Sequence, residues 1–235
     1  VIATRFRIIT ESVKKGVAEI VFDITLPLLI ITTFMRIELT PVILKNSGLI
    51  FLFTYLALFI MFMAGHVFSR AARLAGNQRA VFIHHHMFGN IVFLGFPLMD
   101  ALFPGGEGLL YAAIFQLASN SVMWTLGVWI FLKGRGGKRG EVWKNMVNPN
   151  TVAFFIGLLF MFIHIRVSDV LYEPLHGMGK STIYLSMLYI GAMLAGTSVR
   201  GIFRKPHVFL LSFNKLLVVS AVTATLTYPF TRWFV

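Results

Sequence analysis

In this 235-residue chain the residues that could bind or move charge lie mostly inside apolar stretches. Asn90, Gly95 and Pro97 fall within Ala80–Met99, which has no formally charged residue. A proline inside a helix removes one backbone hydrogen bond and its ring meets the carbonyl one turn back. Gly95, two residues earlier, adds backbone freedom where that bond is lost. In lipid the freed groups need partners, so a broken helix at membrane depth lies inside protein or beside a cavity. The N–H groups of such a break can hold an anion without a buried lysine. Asn90, with amide donors and an acceptor, is the candidate substrate contact. The alternative is that it bonds the freed backbone near Pro97. Gln116 and Asn120 lie four apart on one helix face, beside Ser119 and Ser121. They either line the same cavity or make polar contacts between helices.

Two charged residues are candidates for ion or proton coupling. Asp23 lies in an apolar segment four residues before Pro27, and intramembrane carboxylates are costly enough to suggest such a role. It is also one turn beyond Glu19, where snorkelling or a salt bridge with Lys14 or Lys15 would serve. Lys215 is ten residues beyond Lys205, roughly 15 Å deeper at ~1.5 Å per residue. A lysine there must find a partner or lose its proton, so it reads as a substrate counter-charge or the partner of a carboxylate. Asp100, just past the break, caps or faces water. His84-His85-His86 invites a metal reading, but consecutive helical positions point about 100° apart and cannot converge on one ion. An interfacial role is expected for them, and neither a metal nor a cofactor.

The elements that must carry these residues are membrane helices. The chain is 57% hydrophobic and only 13% charged, with mean hydropathy +0.79, whereas soluble domains carry about 25% charged residues. There is no cysteine, which excludes disulfides. After Val1–Thr10, read as the end of an earlier helix, seven segments approach the ~20 residues that cross a bilayer. They are Gly16–Met35, Asn46–Ser69, Ala80–Met99, Gly108–Leu132, Asn148–Ile165, Ser181–Val199 and Pro206–Thr231. Pro149 suits a first helical turn. The chain begins at Val1 with no signal-peptide pattern and stops at Trp233-Phe234-Val235, so a piece of a longer protein is expected.

The net charge of +12 follows topology and implies no nucleic acid. Fifteen basic residues fall on one side: Arg5, Arg7, Lys14, Lys15, Arg70, Arg73, Arg79, Lys133, Arg135, Lys138, Arg139, Lys144, Arg200, Arg204 and Lys205. Five fall on the other, namely Arg36, Lys45, Arg166, Lys180 and Arg232. That bias is the positive-inside pattern and makes Gly134–Lys144 cytoplasmic. This Gly-rich basic stretch lacks phosphate-loop spacing and reads as a linker between two halves. The halves echo each other weakly in Phe22–Ile30 and Thr182–Ile190, as an inverted-repeat transporter would.

The run Gly89-Asn90-Ile91-Val92-Phe93-Leu94-Gly95-Phe96-Pro97-Leu98 resembles the auxin efflux carrier family, which includes bacterial malate permeases and plant auxin exporters. Leu26-Pro27-Leu28-Leu29-Ile30, Gly108–Asn120 with Gln116, Asn148-Pro149-Asn150 through Leu158, and Leu185-Ser186-Met187-Leu188 with Gly191 fit the same resemblance in the same order. The resemblance implies an all-α, polytopic, bile acid/sodium symporter-like fold: ten helices in two inverted sets of five, with the fourth and ninth broken and crossing. On that map residues 1–133 are the first repeat, from the end of helix one to helix five, and 134–147 are the linker. Residues 148–235 are a partial second repeat, with helices nine and ten absent and with them half the crossover, so this chain alone is not expected to transport. The implied function is alternating-access transport of small organic anions, such as malate or auxin-like acids, coupled to H+ or Na+. A homodimer in the plasma or inner membrane is implied too. A channel, or a sensor on the same fold, is the alternative. An intramembrane enzyme is not expected, for want of a nucleophile–base pair or a His-Glu-x-x-His motif.

Overall fold

The computed structural model describes residues 6, 8–38, 40–127, 129–130, 148–163, 167–196 and 206–229, and these contain helices and no strand. The basic stretch 134–147 lies outside them. In chain order the helices are α1 (Glu11–Ile20), α2 (Leu26–Arg36), α3 (Pro41–Ala71), α4 (Gly76–Met87), α5 (Phe96–Leu102), α6 (Glu107–Val122), α7 (Pro149–Ile163), α8 (Asp169–Ala195), α9 (Pro206–Phe213) and α10 (Ser220–Thr227). Four π turns adjoin them: Val21–Thr25, Ile91–Gly95, Met123–Gly127 and Asn214–Val219.

Five helical runs are long and apolar enough to cross a membrane: Glu11–Arg36, Pro41–Ala71, Gly76–Leu102, Glu107–Gly127 and Val208–Leu226. They carry five of the seven expected segments. The other two fall on α7, apolar but 15 residues long, and on α8, whose 27 residues include Asp169, Glu173 and Lys180. The protein is thus an all-α membrane protein with five such helices among the described residues.

Proline placement explains two of the π turns. Pro27 and Pro97 each sit second in an α-helix, after a five-residue π turn. Leu26 N–H donates to Val21 O, and Phe96 N–H to Ile91 O, each five residues back. The wider turn lets the chain enter the proline's helix with bonds made on both sides of the gap.

Two compact units are formed. The first comprises Val1–Thr40, Asn90–Leu117 and Val147–Thr197. In it α2 packs on α7 and α8 at glycines. A Cβ on Gly157 would lie 3.0 Å from the Phe34 ring, and one on Gly179 only 2.7 Å from Leu29 N. Small residues are what let membrane helices approach this closely. Thr182 Oγ1 donates to Thr25 Oγ1 at 2.8 Å, both buried. Farther along, His176 Nδ1 lies 3.4 Å from Thr32 Oγ1, and Arg36 pairs with Asp169 and covers the Tyr172 ring at 4.2 Å. These contacts ascend α2 while descending α8, so the two helices are antiparallel. Between α5 and α6 the chain reverses at Gly105 (φ +107°) and Gly106 (φ +92°), which glycine alone adopts cheaply.

The second unit comprises Pro41–Gly89, Ala118–Met146 and Ser198–Val235. Leu58, Ile83, Met87 and Val122 form its apolar core, with Phe62 and Phe88 against them. Gly65 admits α4, since a Cβ there would lie 3.2 Å from His86 Cβ.

Candidate functional site

A break is present, but at Phe88–Asn90 and not at Gly95–Pro97, where the sequence placed it. Helix α4 ends at Met87, and Phe88 leaves it with extended backbone (φ −109°, ψ 140°). Asn90, at φ −86° and ψ 80°, starts the next helix. The interruption is therefore Phe88-Gly89-Asn90, inside the 27-residue run Gly76–Leu102. Gly95 and Pro97 belong to the resumed helix, where Gly95 closes the π turn and Pro97 is buried at its first turn.

In the first unit, Asn90 does for the resumed helix what an N-cap does. Its Oδ1 accepts from Phe93 N–H at 3.0 Å, and its main-chain oxygen accepts from Leu94 and Gly95 N–H at 3.3 and 3.2 Å. Its oxygen thus caps the N–H end of the resumed helix, whereas the backbone group that Pro97 frees would be a carbonyl. Its Nδ2 donors bond nothing among the described residues, and the side chain is exposed. Phe93, on the same turn, stacks on Tyr189 of α8 with centroids 4.4 Å apart. Gln116 of α6 is 4% exposed, and its Oε1 has no hydrogen-bond partner among the described residues. An unbonded buried amide oxygen is costly and marks a place where a donor is wanted. No hydrogen bond joins Asn90 to Gln116. Asp23 is exposed on its π turn and pairs with no basic residue among those described. Lys14 pairs with Glu11 and Lys15 with Glu19.

In the second unit, Lys215 has a partner, and it is main chain. Its Nζ donates to His85 O at 2.7 Å and Phe88 O at 2.6 Å. These carbonyls sit at the C-terminal end of α4, where intrahelical donors run out and the helix dipole favours a cation. The preceding residue, Asn214, is fully buried and donates from Nδ2 to His86 Nε2 at 2.5 Å. The three histidines have separate fates: His85 is exposed, His84 half-buried against the Phe88 ring, and His86 fully buried. The interfacial role expected of the trio therefore does not fit His86. Asn120 is half-buried on α6, one turn beyond Gln116. Ser121 accepts from or donates to Tyr55 OH at 2.9 Å.

Asn214, Tyr189 and the Thr25–Thr182 pair are not singled out by the sequence, although Thr25, Thr182 and Tyr189 lie in the two echoing stretches. Asn214 carried a usable signal, a strong hydrogen-bonding side chain at membrane depth beside a lysine. Tyr189 and the threonines carried none, because their meaning lies in helices far apart in the chain.

The arrangement offers polar groups at a backbone break within an apolar span and no assembly for bond chemistry. Among the described residues no group of three or more His, Asp or Glu could hold a metal ion. No curated protein matches the chain. The membrane transport protein family matches it over residues 2–231, nearly its whole length. The chain belongs to that family, a family of transporters and not of enzymes, and the one its Gly89–Leu98 run resembles through the auxin efflux carriers and malate permeases.

Proposed function

We propose that this protein is a secondary carrier for small carboxylates, malate-like or auxin-like, working by alternating access. The observation that carries this reading is the helix interrupted at Phe88–Asn90 inside an apolar span, with the Asn90 amide donors uncommitted. A carboxylate accepts hydrogen bonds through two oxygens, and the start of the resumed helix presents N–H groups and the positive end of its dipole. Gln116 and Asn120 are the further polar contacts of this reading, and Asp23 its coupling candidate, with H+ or Na+ as the ion. Residues 1–133 and 148–235 are then inverted repeats, an assignment supported by the antiparallel pairing of α2 with α8. Stretch 134–147 is cytoplasmic in a homodimer in the plasma or inner membrane, as the basic residues and the resemblance support.

The test uses the full-length protein in liposomes with labelled malate and indole-3-acetate. Saturable uptake and counterflow are expected. Asn90→Ser keeps an oxygen that can cap Phe93 N–H but lacks the amide donors. It should melt at the wild-type temperature and bind the transported acid on the order of tenfold more weakly, the worth of one charge-assisted hydrogen bond. Unchanged affinity in that variant removes Asn90 from the site. Ohmic unitary currents in place of counterflow would make the protein a channel.

A further inference from the structure

The strongest unexplained feature of the second unit is that two consecutive side chains grip the end of one broken helix. Asn214 and Lys215 open the π turn Asn214–Val219. Asn214 holds the His86 ring, and Lys215 holds the main-chain oxygens of His85 and Phe88. His86 is itself wedged, with Gly65 against its Cβ and the Phe82 ring tilted at 35° to it, centroids 4.8 Å apart. The lysine ammonium lies where a Cβ on Gly89 would be 3.8 Å away, beside the point at which the chain leaves α4.

The energetics favour main chain over carboxylate as the lysine's partner. The last carbonyls of a helix have no internal donors. Water satisfies them in a soluble protein, but in hydrocarbon each unmet group costs several kcal/mol. An ammonium has three donors and no acceptor, so one lysine can satisfy two carbonyls and keep its charge at the negative end of the helix dipole. No acidic residue forms a salt bridge with Lys215 among those described.

We propose that Asn214 and Lys215 form a two-point latch that positions the broken end of α4 and so fixes where Phe88-Gly89-Asn90 departs. Lys215 is a positioning residue: its charge completes a helix end and is not held in reserve for an acidic side chain. The consequence for uptake rests on the carrier reading above; the latch itself does not.

Amide hydrogen exchange on the full-length protein in lipid nanodiscs tests it. Lys215→Met should raise exchange across His84–Asn90 on the order of tenfold or more, the loss expected when charged hydrogen bonds to a helix end disappear. The Pro41–Ala71 helix should exchange as in wild type. Lys215→Arg, which keeps charge and donors, should return the segment toward the wild-type rate, and Asn214→Leu should raise it less than Lys215→Met. Exchange in Lys215→Met that is unchanged, or raised equally in Pro41–Ala71, overturns the latch. Where Lys215→Met does not fold, Lys215→Gln is read by the same two segments. Uptake of labelled malate and indole-3-acetate separates the ideas. Segment-specific exchange with no uptake of either acid by the wild type sinks the carrier and spares the latch. Normal uptake with unchanged exchange does the reverse.

Discussion

Single atoms decide several close approaches, and Gly179 is the sharpest. A methyl there would lie 2.7 Å from Leu29 N and 2.8 Å from Leu29 Cα, both backbone atoms that cannot turn aside. Gly177, two residues earlier in α8, has nothing within 4 Å. The same substitution should therefore act with opposite sign. Gly179→Ala should destabilise by about 1–3 kcal/mol, as overpacking does, because α8 must move off α2. Gly177→Ala should gain up to about 1 kcal/mol from helix propensity. Thermal unfolding of the purified protein in detergent reads both, and equal shifts would contradict the packing described. In the sequence the two glycines look alike; both are interior to a 27-residue helix, and only the neighbouring backbone tells them apart.

Pairs of elements show how polar groups tie apolar helices. Thr25 and Thr182 bond across α8 and the turn before α2, both buried. Replacing each by valine, singly and together, should give a coupling energy of about 0.6 kcal/mol, the usual size for such bonds between membrane helices. A coupling of zero in the double-mutant cycle would mean that the hydroxyls do not bond. This scale is also where the sequence was read best and worst. Apolar stretches of ~20 residues stand out because lipid demands them, and the Gly-Asn-Pro composition of 89–97 announced an interruption. Its place was three residues wide and earlier than the proline, because a π turn ending at Gly95 leads the chain into the helix that holds Pro97, with Phe96 N–H bonded to Ile91 O. The partner of Lys215 was illegible for a related reason. Main-chain carbonyls exist at every residue, so nothing in the letters says which ones a helix end will leave open.

Across the whole molecule the question is what covers the apolar surface that the fold leaves out. The helices Pro41–Ala71 and Val208–Leu226 are apolar along most of their length, and only 17% and 11% of their most apolar stretches are buried. Leu52, Phe59 and Val67 are each at least 60% exposed, and Leu216 69%. Water does not tolerate helices so apolar and so bare, whereas hydrocarbon does. At ~1.5 Å per residue, the 31 residues of α3 rise about 46 Å, more than the ~30 Å apolar core of a bilayer. Its two ends must then stand in opposite aqueous phases. Glu38 precedes α3 and Asn77 follows it, both exposed, and the chain has no cysteine to confuse a labelling experiment. In sealed, right-side-out vesicles a membrane-impermeant maleimide should label Glu38→Cys directly. It should label Asn77→Cys only after permeabilisation, because Arg70, Arg73 and Arg79 mark that end as the basic, inner one. Labelling both positions from one side would mean that α3 does not cross. Labelling in the reverse order would leave the crossing intact and invert the orientation argued from charge.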